Sequence, residues 1–210
     1  MKTIYEKFDK KIIPNLPRTL FQGRIFTITT NSEAEKAIDY LMHQSILGFD
    51  TETRPAFRRG EQHQVALLQV SSPDTCFLFR LNYLGLADCI IRLLEDQTIE
   101  KVGLSLKDDF RNLQQRKKFN AGTFIELQEE VKELGIADGS LQKLYANLIG
   151  GHISKRQQLS NWEADILTEP QKLYAATDAW ACIQIHEEVK RLKHTHNYLL
   201  MPDDTKDANL

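Results

Sequence analysis

The stretch "LGFDTETRP", residues 47–55, begins like a strand of a protein core and ends with acidic side chains. Its first residues are apolar, but Asp50 and Glu52 follow two positions apart. In an extended chain, side chains two positions apart point to the same face, so the two carboxylates lie side by side. Like charges at this separation repel each other unless a positive charge lies between them. The stretch therefore predicts a buried strand that presents two acids at its end.

The length and composition indicate a single folded domain. A chain of 210 residues can bury a full hydrophobic core, and 41% hydrophobic with 27% charged residues excludes disorder over most of its length. No apolar run approaches the roughly 20 residues needed to span a bilayer. The first residues, "MKTIYEKFDKKIIPNL", mix charged and apolar side chains and lack an uninterrupted apolar signal segment. We expect a cytoplasmic protein without membrane contact.

Several cofactor classes find no support in the sequence. Cys76, Cys89 and Cys182 lie far apart and have neither a disulfide framework nor a zinc-ligand spacing, so buried free thiols are expected. Apart from His194 and His196, the six histidines show no metal-binding spacing, and all six are expected at the surface. A Gly-rich phosphate loop and an H-E-x-x-H motif are both missing, which argues against a nucleotide cofactor and against a zinc hydrolase. No pattern identifies a protein partner.

Local patterns predict alternating strands and helices. Strand patterns occupy "RIFTITT", "SILGFDTE", "VALLQVSS", "TCFLFRL", "KVGLSL" and "TFIELQ". The turn-forming "SPD" between the third and fourth of these predicts a hairpin. Asn31 or Ser32 is predicted to cap a helix that continues to about His43. Helix patterns recur in "LADCIIRLLED", "DDFRNLQQRKK" and "SLQKLYANLIGG". This order is typical of a mixed α/β sheet with helices on both faces.

The longest predicted helix lies near the C-terminus. Thr168 and Gln171 form a T-x-x-Q capping box, and Pro170 lies in the first turn, where its missing N–H costs nothing. The helix is expected to extend to about Lys193. The final residues, "MPDDTKDANL", are polar, and we expect them to be frayed.

Two further segments contain acids at positions where the pattern predicts burial. In "KVGLSLKDDFRNL", Asp109 lies four residues before Leu113 and next to Phe110, so it faces the interior, whereas Asp108 has the position of a solvated helix cap. In "YAATDAW", Tyr174 and Asp178 are four residues apart and share one helical face. Each pattern also fits an ordinary strand end, an acid at a helix N-terminus or a surface hydrogen bond. Spacing alone does not bring the three segments together.

The three segments together resemble a known family. "FDTET", "VGLSLKDDFRNL" and "YAATDAW" are similar to the exonuclease motifs of the DEDD nucleases of the tyrosine subtype, which include ribonuclease D and the Werner exonuclease domain. Asp50 and Glu52 match the D-x-E of the first motif. Asp109 matches the acid of the second, with Asp108 as the alternative, and Tyr174 and Asp178 match the Y-x-x-x-D of the third. Three ordered motifs are a far stronger signal than any one alone.

The resemblance implies a ribonuclease-H-like α/β fold. It implies a five-stranded mixed sheet with one antiparallel strand and with helices on both faces. The resemblance covers most of the chain, so we expect a 3′–5′ exonuclease domain at residues 24–195. Residues 1–23 are then an N-terminal extension, and residues 196–210 are a polar C-terminal tail.

The resemblance also implies two divalent cations, Mg²⁺ or Mn²⁺. Their ligands would be Asp50, Glu52, Asp109 and Asp178. Four converging carboxylates would otherwise repel one another or take up protons, whereas hard cations favour oxygen ligands and neutralise them. Such a metal pair activates a water and stabilises the leaving oxygen of a phosphodiester, and the tyrosine that matches Tyr174 holds the attacking water. These cations are the positive charge that the first stretch requires.

The expected reaction is hydrolysis at the 3′ end of DNA or RNA, with release of 5′-mononucleotides. Thr51 and Lys155 are expected to contact the substrate. In "GGHISKRQQLSNW", Arg156 and Trp162 could also contact a phosphate or a base, although Trp162 fits equally well as a core residue before the long helix.

Two alternative functions stay open at this point. The chain could be an adaptor that binds nucleic acid without cutting it, although intact acids at every motif position argue against this. It could also be a hydrolase specific for short oligonucleotides. The sequence does not choose between DNA and RNA.

Overall fold

The computed structural model describes residues 1–203 as alternating strands and helices. The strands are β1 (Lys2–Tyr5), β2 (Arg24–Ile28), β3 (Ile46–Thr53), β4 (Val65–Ser71), β5 (Thr75–Arg80), β6 (Glu100–Gly103), β7 (Phe124–Glu126) and β8 (Tyr198–Met201). The α-helices are α1 (Asn31–Leu41), α2 (Leu81–Leu84), α3 (Asp88–Glu95), α4 (Leu106–Leu113), α5 (Leu127–Lys132), α6 (Leu141–Ile149) and α7 (Glu169–Thr195).

The main sheet has six strands in the order β2-β5-β4-β3-β6-β7. Strand β4 is antiparallel to both of its neighbours, and the other pairs are parallel. The mixed α/β fold with one antiparallel strand is therefore confirmed. The implied count of five strands is wrong, because Arg24–Ile28 pairs with β5 and adds a sixth strand at the edge.

Helices cover both faces of this sheet, as the sequence predicted. On one face, apolar side chains of α1, α3 and α4 pack against Leu47 and Phe49 of the central strand. On the other face, α7 packs against the sheet, and α6 packs against α7. Side chains alternate along a strand, so Gly48, Asp50 and Glu52 point to the α7 face. The two acids of β3 are thus directed at the longest helix.

Helix α7 approaches β3 closely because small residues line the contact. Ala175, Ala176 and Ala179 of α7 are fully buried. A Cβ atom added to Gly48 would lie 1.8 Å from the carbonyl oxygen of Ala179, so only glycine fits at this position of β3. Because the side chains at this contact are small or missing, the backbone of α7 lies close to β3 and its acids.

Most local predictions are confirmed, with shifts at the ends of elements. The β4–β5 hairpin forms, and the capping box of Thr168 and Gln171 begins α7. Helix α1 is capped by Thr30, which forms a capping box with Glu33, rather than by Asn31 or Ser32. Helix α4 ends at Leu113, several residues earlier than predicted.

Both ends of the described chain are packed against the domain. Strand β1 pairs in parallel with β8, and Ile4, Ile13 and Phe21 of the N-terminal segment are buried. The sequence did not predict this small two-stranded sheet. The boundaries assigned to the extension and the tail stay predictions, and residues 204–210 of the tail lie outside the described residues.

The three cysteines are buried and form no disulfide, as expected. The expectation that every histidine lies at the surface is wrong, since His186 is only 3% exposed and its Nδ1 lies 2.8 Å from Oε2 of Glu130. Within residues 1–203, no helix combines the length and the apolar character that crossing a bilayer requires.

Candidate active site

Strand β3 presents two acids at its carboxyl end. Asp50 is half-buried and Glu52 is buried. The Asp50 carboxylate accepts hydrogen bonds from the backbone N–H of Thr51 at 2.9 Å and from the Gln69 amide at 3.5 Å. Gln69 lies opposite Asp50 in the antiparallel β3–β4 pair, where it is a fully buried amide. Gln69 is not among the residues predicted from the sequence, although a lone amide in the apolar "VALLQV" was a usable signal.

Helix α7 brings Asp178 to these two acids. Asp178 is only 7% exposed, and its Oδ1 is buried without a hydrogen-bond partner among the described residues. Asp50, Glu52 and Asp178 each offer one carboxylate oxygen, and these three oxygens lie within 4.8 Å of one another. The structure therefore brings together three of the four predicted metal ligands.

Helix α4 supplies the fourth acid from the opposite side of β3. Asp109 is half-buried and accepts a hydrogen bond from the hydroxyl of Thr51. Asp108 instead points to solvent and forms an ion pair with Arg111 at 2.9 Å. Of the two adjacent acids, Asp109 is the one that faces the cluster.

Glu126 holds the start of α4 in position. Its carboxylate accepts the backbone N–H groups of Ser105 at 3.0 Å and Leu106 at 2.8 Å, which are unpaired donors at a helix N-terminus. Ser105 has a left-handed backbone with φ of 64°, an uncommon conformation for a residue with a side chain. This role of Glu126 could not be predicted from the sequence, because an acid on one strand gives no local sign that it caps a helix following another strand.

Tyr174 lies one helical turn before Asp178. Its ring centroid is 5.9 Å from that of Trp162, which is completely buried and supports the tyrosine from the core. Of the two interpretations of Trp162, core packing is confirmed and contact with the substrate is wrong. Burial and the neighbouring carboxylates raise the pKa of Tyr174 well above its ordinary value, so its phenol stays protonated.

The cluster raises the pKa of each acid on β3. Burial, followed by the charge of Asp178, raises the pKa of Asp50 to about 8. Burial and the charges of the surrounding acids raise the pKa of Glu52 to about 10. Without cations, these carboxyl groups hold protons at a pH where ordinary aspartate and glutamate are ionised.

The other two acids show the same effect. Burial, followed by the charge of Asp50, raises the pKa of Asp109 to about 8. Burial raises the pKa of Asp178 to about 7, and both the Tyr174 hydroxyl and the charge of Lys155 act to lower it. Lys155 thus contributes positive potential at the cluster.

An open cleft of about 300 Å³ gives access to the acids. Its walls include Lys155, Tyr174 and the α6 residue Gln142. Thr51 also lines it, but the Thr51 hydroxyl is already hydrogen-bonded to Asp109. Substrate contacts by Thr51 and Lys155 stay predictions.

The donor set fits hard divalent cations. It consists of carboxylate oxygens, the ligands that Mg²⁺ and Mn²⁺ favour, and it includes a buried Asp178 oxygen without another partner. A cation would replace the protons that the raised pKa values indicate. The site can therefore concentrate positive charge next to a protonated phenol and a lysine.

Comparison with protein families and curated proteins gives a consistent result. The model of a 3′–5′ exonuclease family matches residues 25–192. The "Bifunctional 3′-5′ exonuclease/ATP-dependent helicase WRN" of Mus musculus is 31% identical over 191 residues, which is 86% of this chain but 14% of that protein. The chain therefore spans only a small part of this relative.

Solved structures share the fold. The EXO domain of Aedes aegypti Nibbler superimposes with a TM-score of 0.76 at 18% identity, covering 84% of this chain and 93% of that one. Trypanosoma brucei RNase D, solved in complex with RNA U12, gives a TM-score of 0.70 at 17% identity and covers 80% and 63% of the two chains.

Proposed function

The chain belongs to the 3′–5′ exonuclease family, and on this basis we propose that it hydrolyses the phosphodiester bond at the 3′ end of a DNA or RNA strand. The products are 5′-mononucleotides, and the reaction depends on two divalent cations. The observation that carries the proposal is the convergence of Asp50, Glu52 and Asp178 from two elements that are far apart in the chain.

The proposed metal ligands are Asp50, Glu52, Asp109 and Asp178. When bound there, Mg²⁺ or Mn²⁺ supplies an activated water and neutralises charge that develops on the leaving 3′ oxygen. The energetic cost of holding these carboxylates together supports this assignment, since burial raises the pKa of all four acids.

The remaining side chains position the reactants. Tyr174 keeps its proton, so its hydroxyl can hold the attacking water by a hydrogen bond but cannot act as a base near neutral pH. Lys155 lies where its charge acts on Asp178 and lowers the pKa of that acid, and it can contact a backbone phosphate beside the cleft. The solved complex of Trypanosoma brucei RNase D with RNA supports a nucleic acid as the substrate.

The test is cleavage of matched DNA and RNA single strands labelled at the 5′ end. With Mn²⁺, the proposal expects a ladder that shortens stepwise from the 3′ end, and EDTA should abolish it. Asp178→Asn removes one metal ligand with little change in shape and should lower kcat by at least about 100-fold, the order of loss seen when key electrostatic groups are removed.

Asp108→Asn is the matched control. Asp108 lies on the same helix as Asp109 but is exposed and paired with Arg111, so this variant should keep wild-type activity. Retention of a tenth of the activity by Asp178→Asn, or an equal loss in both variants, contradicts the proposed mechanism. Binding of the strand without any cleavage in Mn²⁺ would favour the adaptor function instead.

A further inference from the structure

A second cavity adjoins the acid-lined cleft. It has a volume of about 560 Å³ and shares Ile153, Ser154 and Tyr174 with the cleft. The rest of its wall is mainly apolar and is built by four parts of the chain: the N-terminal segment, strand β2, the loop before α7 and the N-terminal part of α7. The apolar lining includes Leu20, Ile25, Pro170 and Leu173.

Two arginines line this cavity without a protein partner. Arg18 and Arg156 are exposed, and neither guanidinium forms a hydrogen bond or ion pair with another residue in the 1–203 range. The acid that lines the cavity, Glu169, is paired with Lys172 at 2.7 Å. The cavity therefore has a net positive charge that the described side chains do not neutralise.

The position of Arg18 is set by its neighbours in the chain. The backbone N–H of Thr19 donates to the carbonyl of His152 at 2.9 Å, and the N–H of His152 donates to the carbonyl of Pro17 at 2.8 Å. The N–H of Phe21 donates to the hydroxyl of Thr177 on α7 at 3.1 Å. Residues on both sides of Arg18 are thus fixed to the loop that carries Arg156 and to the helix that carries Tyr174.

We propose that Arg18 and Arg156 bind a backbone phosphate of the nucleic acid strand next to the bond being cut, and that the apolar wall receives the adjacent base. This inference rests on the proposed function. Guanidinium groups bind phosphate through paired, charge-assisted hydrogen bonds, and an apolar wall suits the flat face of a base. The volume is within the range of about 300–1,000 Å³ that is typical of small-ligand sites. Residues 17–21, assigned from sequence to an extension, thereby become part of the substrate site.

The first test measures binding of a fluorescein-labelled single-stranded tetranucleotide in EDTA, where no cleavage occurs. Arg18→Gln and Arg156→Gln should each weaken binding about fivefold or more, and Arg18→Lys should restore part of the loss. The association constant falls as the salt concentration rises, and the plot of its logarithm against log salt concentration should become less steep by about 0.7 for each lost phosphate contact. The control is Lys11→Gln, which removes one charge from an exposed position of the same segment and should bind like the wild type.

The second test compares cleavage of strands of increasing length. For the wild type, KM should decrease from a dinucleotide to a tetranucleotide as the second cavity becomes filled. For Arg18→Gln, KM should not decrease with strand length, while kcat stays within about twofold of the wild type. The reason is that a contact made equally in the ground and transition states changes KM alone.

The two proposals fail in distinguishable ways. If Arg18→Gln binds and cleaves long strands like the wild type, the second cavity is not a strand site, although the exonuclease assignment stands. If the wild type cleaves nothing, the exonuclease proposal fails, and the binding measurement still decides whether Arg18 contacts nucleic acid. Equal urea midpoints for the variants show that the folded state is retained.

Discussion

The four acids are held in a site that disfavours their charged forms. Protein atoms and neighbouring carboxylates surround all four acids: Asp50, Glu52, Asp109 and Asp178. Binding a proton or a cation therefore stabilises each of them. Such an arrangement lowers the stability of the cation-free protein at neutral pH. It also gives the folded state a strong preference for binding cations.

This cost predicts a specific dependence of stability on pH. The folded-state pKa values, about 7 for Asp178 and about 8 for Asp50, lie above the unfolded values near 4, so the folded state holds the protons more tightly. The contribution of these acids to stability is then greatest below the unfolded pKa values, and it is lost as pH rises through the folded ones. In EDTA, we expect a loss of at least about 2 kcal/mol between pH 5 and pH 8, the size expected from Asp178 alone, measured by urea unfolding.

Variants and added Mn²⁺ identify which groups cause this loss of stability. Asp50→Asn removes one of the charges and should reduce the pH dependence, whereas Asp108→Asn should keep the wild-type dependence. Mn²⁺ at pH 8 should restore stability, because a ligand that binds only the folded state stabilises it. Equal pH dependence in the wild type and Asp50→Asn would mean that other groups cause the loss.

Three elements together determine the geometry of the site. Strand β3 presents Asp50 and Glu52, helix α7 adds Asp178 and Tyr174, and helix α4 adds Asp109 through the hydroxyl of Thr51. The distance between the acids of β3 and Asp178 depends on the contact of Gly48 with the backbone of Ala179. A small change in that contact therefore alters the cation site.

Gly48→Ala tests this dependence. The new Cβ would lie 1.8 Å from the Ala179 carbonyl oxygen, so α7 or β3 must move. We expect a loss of about 2 kcal/mol in stability, as for other overpacked cores, together with weaker Mn²⁺ binding measured by calorimetry. Gly139→Ala is the control, since the nearest atom to its Cβ belongs to the flexible side chain of Gln128 at 3.2 Å. An unchanged Mn²⁺ affinity in Gly48→Ala would show that the site tolerates the displacement.

Across the whole molecule, the two ends of the described chain stabilise the domain from one side. Strand β1 pairs with β8 directly after the end of α7, and Asn147 of α6 exchanges two hydrogen bonds with the backbone of Tyr5. Phe8 donates its backbone N–H to Asp138 at 2.6 Å. These contacts connect the N-terminal segment to α6, to the loop before α6 and to the strand that follows α7.

Ile4→Ala tests whether this segment folds together with the domain. Ile4 is completely buried in the cluster that includes α6 and α7, so its truncation should cost about 2–4 kcal/mol. We expect the midpoint of the whole unfolding transition to decrease, as measured by urea unfolding. Thr3→Ala changes an exposed residue of the same strand and should have little effect. If the main transition stays unchanged in Ile4→Ala, the segment unfolds independently of the domain.

The sequence by itself determined the local elements, the sheet type and the acids. Interactions between residues close in the chain produce the capping box at Thr168 and the "SPD" turn. They also set the alternation of side chains between the two faces of β3, with Leu47 and Phe49 on one face and the two acids on the other. The ordered motifs around Asp50, Asp109 and Asp178 indicated the family. These features could be predicted because each depends on a few neighbouring residues.

Only the tertiary structure decided which residues meet. Four features of the site depend on contacts between residues that are distant in the chain. They are the orientation of Asp109 towards Thr51, the capping of α4 by Glu126, the burial of Trp162 and the position of Arg18 beside the cleft. The pairing of β2 with β5 and that of β1 with β8 likewise depend on long-range backbone hydrogen bonds. Such contacts follow from strand register and from how closely α7 approaches β3, and neither quantity is encoded in a short sequence pattern.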